Sequence, residues 1–346
     1  MLPMAKKIRV LIVDDSILFR EVLLRGLSSD PLIEVVATAN DPFEARDKII
    51  DCKPDVMTCD VEMPKMNGIE FIQRLMPQYP LPVIVVSSTS GTVFDAMNAG
   101  AVDFVGKPDL TSVNSVETFI NDLIAKIKIA SFAKVQNVKA ELISKTIEST
   151  SLTERGRIIA IGASTGGTEA IYTILKKLPP DIPGIVIVQH IPPNFSRMFA
   201  ERLNNSTGLQ VKEAKTGDYV EKGQVLLSPG DKHMIVRKLG DRYKVECFDD
   251  EKVNGHCPSV DVLFESVAKA AGKNAIGVIL TGMGYDGAKG LMAMRRKGAR
   301  TIGQDEKSSV VYGMPKVAYN IGAVEKQTTL ENIAYTLYMM SSESVL

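Results

Sequence analysis

The 346-residue chain has no surplus of charge of either sign, with 41 Lys plus Arg set against 41 Asp plus Glu. It therefore lacks the basic excess that binding to a phosphate backbone favours, and no nucleic-acid partner is expected. The four cysteines, Cys52, Cys59, Cys247 and Cys257, form no C-x-x-C pair, and with only three histidines they make no zinc framework. They read as reduced thiols of a cytoplasmic protein. No stretch approaches the roughly 18 consecutive apolar residues that a membrane span requires. The N-terminal Met-Leu-Pro-Met-Ala-Lys-Lys runs directly into a short strand pattern, so neither export nor membrane insertion is expected. Internal repeats and long low-complexity tracts are also missing. What is present is a globular composition, 45% hydrophobic and 24% charged, at a length that suits two domains with a core each.

The stretch around which the chain is organised is Ile-Ile-Ala-Ile-Gly-Ala-Ser-Thr-Gly-Gly-Thr-Glu-Ala, residues 158–170. Four apolar residues predict a buried strand, the glycine-flanked segment a tight turn, and Thr168 onward a helix start, which presents Ser164 at the corner. Residues 162–166 fit G-x-S-x-G, where flanking glycines let the backbone turn sharply and amides at the helix start can stabilise an oxyanion. The same turn is compatible with a phosphate cradle of a dinucleotide fold, or with a plain connection. The rest of the chain has to decide.

Ahead of this stretch, apolar runs at 8–13, 33–37, 56–59, 83–86 and 102–105 alternate with helical patterns, which predicts a doubly wound parallel sheet. In such sheets functional residues collect at the carboxyl ends of strands, and here those ends carry Asp14 and Asp15, Asp60, Ser87 and Lys107. Three converging carboxylates repel one another unless a cation joins them, and hard oxygen ligands of this kind suit Mg²⁺. A carboxylate held beside Mg²⁺ and a lysine can accept a phosphoryl group, and Asp60 is the natural acceptor. The helical pattern over 115–130 closes this domain, 1–130. Residues 131–156 then turn polar and read as a linker to a second domain, 157–346.

In the second domain a buried strand over 185–190 ends in His190, where a dinucleotide fold would place an acidic residue for the ribose. A histidine fits a general base instead. A third strand pattern, 275–280, leads into Thr-Gly-Met-Gly-Tyr-Asp-Gly, whose Asp286 is suited to orient the imidazole. Ser164, His190 and Asp286 thus sit at three strand ends. Their chain order differs from the Ser, Asp, His order of α/β-hydrolases, so G-x-S-x-G does not place the domain in that fold.

Val13-Asp14-Asp15-Ser16, the run Asp-Val-Glu-Met-Pro-Lys-Met-Asn-Gly at 60–68, Ser87 and Lys107-Pro108 resemble the signature of response-regulator receiver domains. The second domain resembles the chemotaxis methylesterases, the CheB family, on residues 161–170, Gln189-His190-Ile191-Pro192-Pro193, 228–234, 258–264, 280–287 and Tyr312-Gly313-Met314-Pro315. The resemblance implies an α/β protein with an N-terminal flavodoxin-like receiver and a C-terminal doubly wound serine esterase domain. It implies phosphorylation of Asp60 by a chemotaxis histidine kinase, Mg²⁺ held by Asp14, Asp15, Asp60 and the Glu62 backbone, and phosphoryl relay through Ser87 and Lys107, with Phe104 near the switch face. It further implies that phosphorylation activates hydrolysis of glutamate γ-methyl esters on chemoreceptors, and in some members glutamine deamidation, by Ser164, His190 and Asp286. Thr165 and Met283 are the backbone candidates for the oxyanion hole, and the ester chemistry itself is expected to need no cofactor.

The chain departs from the family at Gly255-His256-Cys257, where an Arg-His-Arg run is common, which puts receptor docking in question. His256 is expected to lie in a loop away from the strand ends, and Cys257 to be an ordinary thiol. Two alternatives stand beside this reading: a receiver fused to a nicotinamide-dependent oxidoreductase, and a receiver with a non-enzymatic output domain.

Overall fold

A computed structural model describes residues 6–88, 90–109, 111–135 and 156–343. The chain divides into two compact units, Met1–Ala140 and Glu141–Leu346. Most of the expected linker, 136–155, lies outside the described residues.

In the first unit five strands, β1 Ile8–Val13, β2 Ile33–Ala39, β3 Val56–Asp60, β4 Val83–Ser87 and β5 Asp103–Gly106, form one sheet in the order β2-β1-β3-β4-β5. All four pairings are parallel. Strands β3 and β4 are buried at every residue, so unbroken apolar runs rather than alternation mark a sheet covered on both faces. The chain leaves β1 toward β2 on one side and returns to β3 on the other. That reversal opens a crevice at the carboxyl ends of β1 and β3, where Asp14 and Asp60 lie.

The second unit adds β6 Ile158–Ala163, β7 Gly184–Gln189, β8 Gln210–Glu213, β9 Gln224–Leu227, β10 His233–Leu239, β11 Arg242–Phe248, β12 Ala275–Ile279, β13 Arg300–Gln304 and β14 Lys326–Thr328. Seven of these form a sheet in the order β14-β13-β12-β6-β7-β9-β8, and β10 pairs with β11 as an antiparallel hairpin. The sheet is parallel throughout, and β6, β7 and β12 are wholly buried. Helix Val260–Ala271 packs its Val260, Leu263, Phe264 and Val267 into the core over these strands. Strands β12, β6 and β7 are neighbours, so the three loops that leave their carboxyl ends emerge side by side.

The first strand of the sequence reading coincides with β1, and β8 to β11, β13 and β14 are additional to the strands expected. Among the described residues no helix is long and apolar enough to cross a membrane.

Candidate functional site

Ser164 follows β6 directly. Its amide donates to Thr281 O at 3.0 Å, and Gly167 N–H closes the turn onto Ser164 O at 2.7 Å. Gly166 adopts φ +76 at the start of helix Gly167–Leu175, a conformation that glycine takes without steric cost. Gly162 has a different reason from the sharp turn expected of it. It lies inside β6, and a Cβ there would fall 2.1 Å from Val260 Cγ1, so its bare backbone admits helix Val260–Ala271.

His190 follows β7, and its amide donates to Ala163 O at 3.0 Å. The buried Gln189 side chain ties the two strand ends together, because its Nε2 donates to Ser164 O at 2.9 Å and to His190 O at 3.0 Å. His190 Nε2 lies 3.0 Å from Asp286 Oδ2. His190 Nδ1 is buried and has no hydrogen-bond partner among the described residues. Nδ1 is therefore the ring nitrogen that Asp286 does not engage.

Asp286 is 2% exposed and heavily donated to, which keeps its charge in place. Asn254 Nδ2 and Ser259 Oγ each donate to Oδ1 at 2.8 Å, Val260 N–H donates to Oδ2 at 2.7 Å and Asp261 N–H to Oδ1 at 3.2 Å. Burial alone would raise this carboxyl. The hydrogen bonds from His190, Asn254 and Val260 prevail and hold Asp286 well below the ordinary carboxylate range. Of these donors the sequence reading named only His190. Asn254 and Ser259 follow the β10–β11 hairpin, and the visible signal was the Asn254-Gly255 turn pair.

His256 contradicts its expected remoteness. Its ring stacks on His190 with centroids 3.7 Å apart and planes 12° apart. Burial, and then the neighbouring His190, lower it to about 4, so it is neutral at pH 7. Cys257 donates its thiol to Asp231 O at 3.3 Å, and burial followed by Asp231 pushes the thiol up, away from thiolate reactivity.

Of the two backbone groups considered for an oxyanion hole, Thr165 follows the serine in the chain and Met283 follows Gly282, which packs against Ser164. Thr165 N–H shares its peptide with Ser164 O, which accepts from Gly167 N–H at 2.7 Å and from Gln189 Nε2 at 2.9 Å, and these bonds fix the plane of that peptide. Met283 N–H makes no hydrogen bond among the described residues. Gly282 approaches so closely that a Cβ on it would fall 2.6 Å from Ser164 Cβ. Ser164 N–H, spent on Thr281 O, is not available as a donor.

In the first unit, ligand oxygens of Asp14, Asp15 and Asp60 lie within 4.8 Å of one another, an arrangement that can hold a metal ion. Lys107 Nζ pairs with Asp14 Oδ2 at 2.8 Å and Asp60 Oδ2 at 2.7 Å, and lies 4.8 Å from the centroid of the Phe19 ring. Burial raises the Asp60 carboxyl against the pull of Lys107. Burial opposes the lysine's charge, yet its hydrogen bonds to Asp14 and Asp60 prevail and raise it. Ser87 is buried at the end of β4, where its carbonyl accepts from Lys107 N–H at 2.9 Å. Glu62 N–H donates to Asp60 Oδ1 at 3.2 Å. Ser16, rather than either aspartate before it, caps the following helix. Phe104 is buried against Phe94 in an edge-on contact at 6.1 Å.

The CheB methylesterase family model matches residues 159–337, and the response regulator receiver domain model matches residues 10–114. A protein-glutamate methylesterase/protein-glutamine glutaminase of Syntrophomonas wolfei is 59% identical over 338 residues, covering 98% of this chain and 99% of that relative. The one from Salmonella typhimurium is 46% identical over 332 residues, with 95% of each chain covered. The crystal structure of the Thermotoga maritima CheB methylesterase catalytic domain is similar with a TM-score of 0.53 at 35% identity, covering 54% of this chain and all of that one.

Proposed function

Because the chain belongs to the CheB methylesterase family and carries a receiver domain in front, we propose that it is a phosphorylation-activated protein-glutamate methylesterase of chemoreceptors. The relatives' names extend the same site to protein-glutamine deamidation. That membership leaves the nicotinamide-dependent and non-enzymatic readings without support. The observation that carries the chemistry is the His190–Asp286 pair, at 3.0 Å between the loops after β7 and β12, the two strands on either side of β6 and its Ser164.

In the esterase reaction Ser164 Oγ attacks the γ-carbonyl carbon of the methyl ester as its proton passes to His190 Nδ1. Asp286 holds the ring through Nε2 and stabilises the imidazolium, while its own hydrogen bonds keep it ionised. The oxyanion forms against the amides of Met283 and Thr165. Collapse breaks the bond to the methoxy oxygen, and His190 returns the proton so that methanol leaves. Water then attacks the acyl-enzyme with the same proton traffic, restoring Ser164 and releasing the receptor carboxylate. For a glutamine side chain the leaving group is ammonia.

In the receiver, the hard oxygen set of Asp14, Asp15 and Asp60 fits Mg²⁺, with the Glu62 carbonyl as a further ligand. When bound, the ion neutralises charge on a phosphoryl group near Asp60. Asp60 is the acceptor, Lys107 pairs with the phosphoryl oxygens, and Ser87 relays the change. The phosphodonor is a chemotaxis histidine kinase, and the working compartment is the cytoplasm, where methylated receptor helices are presented. A fluorophosphonate that labels activated serines tests the nucleophile. Labelling that maps to Ser164 and vanishes in Ser164→Ala is expected, and undiminished labelling of that variant contradicts the assignment.

A further inference from the structure

His256 is carried by a tight two-residue turn. Val253 N–H donates to His256 O and His256 N–H donates to Val253 O, each at 3.0 Å, and the two residues between them, Asn254 and Gly255, have φ +55 and +84. Positive φ at both central positions is the geometry that an Asn-Gly pair favours. The turn works in two directions at once. Asn254 donates to Asp286 Oδ1 at 2.8 Å and to Asp261 Oδ2 at 2.8 Å, while the His256 ring lies parallel to His190 at 3.7 Å.

The single bond from Nε2 to Asp286 does not by itself fix the His190 ring. That bond limits how far the ring reaches, but rotation about Cβ–Cγ still swings Nδ1, and Nδ1 is the nitrogen that must meet the Ser164 proton. A parallel plate at 3.7 Å restricts this rotation. The Gln189 side chain does not, since its Nε2 holds the backbone carbonyls of Ser164 and His190 rather than the ring.

We propose that His256 is a positioning residue, which sets the rotation of the His190 ring by stacking and faces the imidazolium with a neutral aromatic surface when His190 takes the serine proton. A π face attracts a cation, whereas a second charged imidazole would repel it. The low affinity of His256 for protons, from burial and then from His190, keeps that face neutral in the working range. The proposal rests on the reading of His190 as the general base. His256 itself makes no side-chain hydrogen bond among the described residues to a group that would orient it as a base. Its aromatic plane, rather than its nitrogens, is what the geometry uses.

The test uses the full-length protein, methylated chemoreceptor membranes and methanol release, with His256→Ala, His256→Phe and His190→Ala compared with wild type. His256→Ala is expected to lower kcat roughly ten- to thirtyfold, the scale of a lost cation–aromatic contact, with KM within about twofold. His256→Phe, which restores a plate without ring nitrogens, is expected to recover kcat to within about threefold of wild type. His256→Ala at wild-type kcat, or His256→Phe as slow as His256→Ala, would overturn the stacking role. A thermal melt on each variant accompanies the kinetics, and if His256→Ala is poorly folded, the kcat of His256→Phe decides. Activity retained by His190→Ala would instead remove the base assignment, and a dead His190→Ala beside a fully active His256→Ala would remove the stacking alone.

Discussion

Asp286 Oδ2 engages His190 through Nε2 at 3.0 Å, and His190 Nδ1, the nitrogen proposed to take the serine proton, is buried with no hydrogen-bond partner among the described residues. In the usual description of a Ser-His-Asp triad the two nitrogens have the opposite duties. The consequence is chemical equivalence with a different spatial solution. A carboxylate at Nε2 favours the tautomer in which Nδ1 carries the lone pair, so under the proposed mechanism the ring can take a proton from the nucleophile without rearranging.

Asp286→Asn keeps the shape but permits the wrong tautomer. We predict that kcat falls by about 10²–10⁴ with little change in KM, as expected when the orienting carboxylate of a triad is neutralised. Steady-state methanol release checks this, and a variant within tenfold of wild type contradicts the role of Asp286.

Asn254→Ala removes one of the donors that depress the Asp286 pKa. Because the folded pKa lies below the unfolded one, the carboxylate's contribution is fully present above about pH 4 and is lost as the pH falls through the folded value. The variant has a smaller shift to lose, so its urea midpoint should fall less steeply below pH 4 than that of wild type. Superimposable acid limbs would show that Asn254 does not bear on Asp286.

Much of this arrangement was legible in the sequence, for identifiable reasons. Strand β1 matches the expected bounds 8–13 because Val10–Val13 form a buried apolar run that stops at Asp14, although Ile8 and Arg9 at its start are only half-buried. Ser164, His190, Asp14 and Asp60 are legible because each buried run stops at or just before them, while Asp286 lies seven residues past the end of β12, in the glycine-rich loop that follows it. The missing parts left no such mark. Strand β14, Lys326–Thr328, has no apolar residue, and β10–β11 form a hairpin outside the main sheet. The donors to Asp286 include backbone amides of Val260 and Asp261, which side-chain identity does not encode. His256 reaches His190 across 66 positions of chain through a turn whose direction only the folded hairpin decides. Gly162 marks a close approach rather than a turn, which the sequence pattern does not encode because its partner, Val260, is distant along the chain.

Gly162→Ala places a methyl 2.1 Å from Val260 Cγ1, a contact that forces the helix or strand to shift. The expected cost is about 1–3 kcal/mol of stability, the usual range for overpacking a dense core. Val260→Ala in the same chain should return part of it, so the two changes are predicted to be non-additive in denaturant unfolding. Strict additivity would mean that the two side chains do not meet.

Chelation of divalent cations is predicted to abolish Asp60 phosphorylation from a small phosphodonor, because Asp14, Asp15 and Asp60 then face one another without the cation that would join them, Lys107 pairing with Asp14 and Asp60 alone among the three. Basal methanol release should be unaffected. Asp60→Asn should behave likewise, retaining basal hydrolysis and losing stimulation. Phosphodonor stimulation that persists in Asp60→Asn would contradict its role as acceptor.

The central claim is that Ser164 attacks a receptor methyl ester and that the receiver raises the rate. Methanol release from methylated chemoreceptor membranes tests it most directly, comparing wild type with Ser164→Ala, each with and without Mg²⁺ and a small phosphodonor. The account predicts release by wild type that rises with the phosphodonor, and none above background from Ser164→Ala under either condition. Equal release by the two proteins would contradict it.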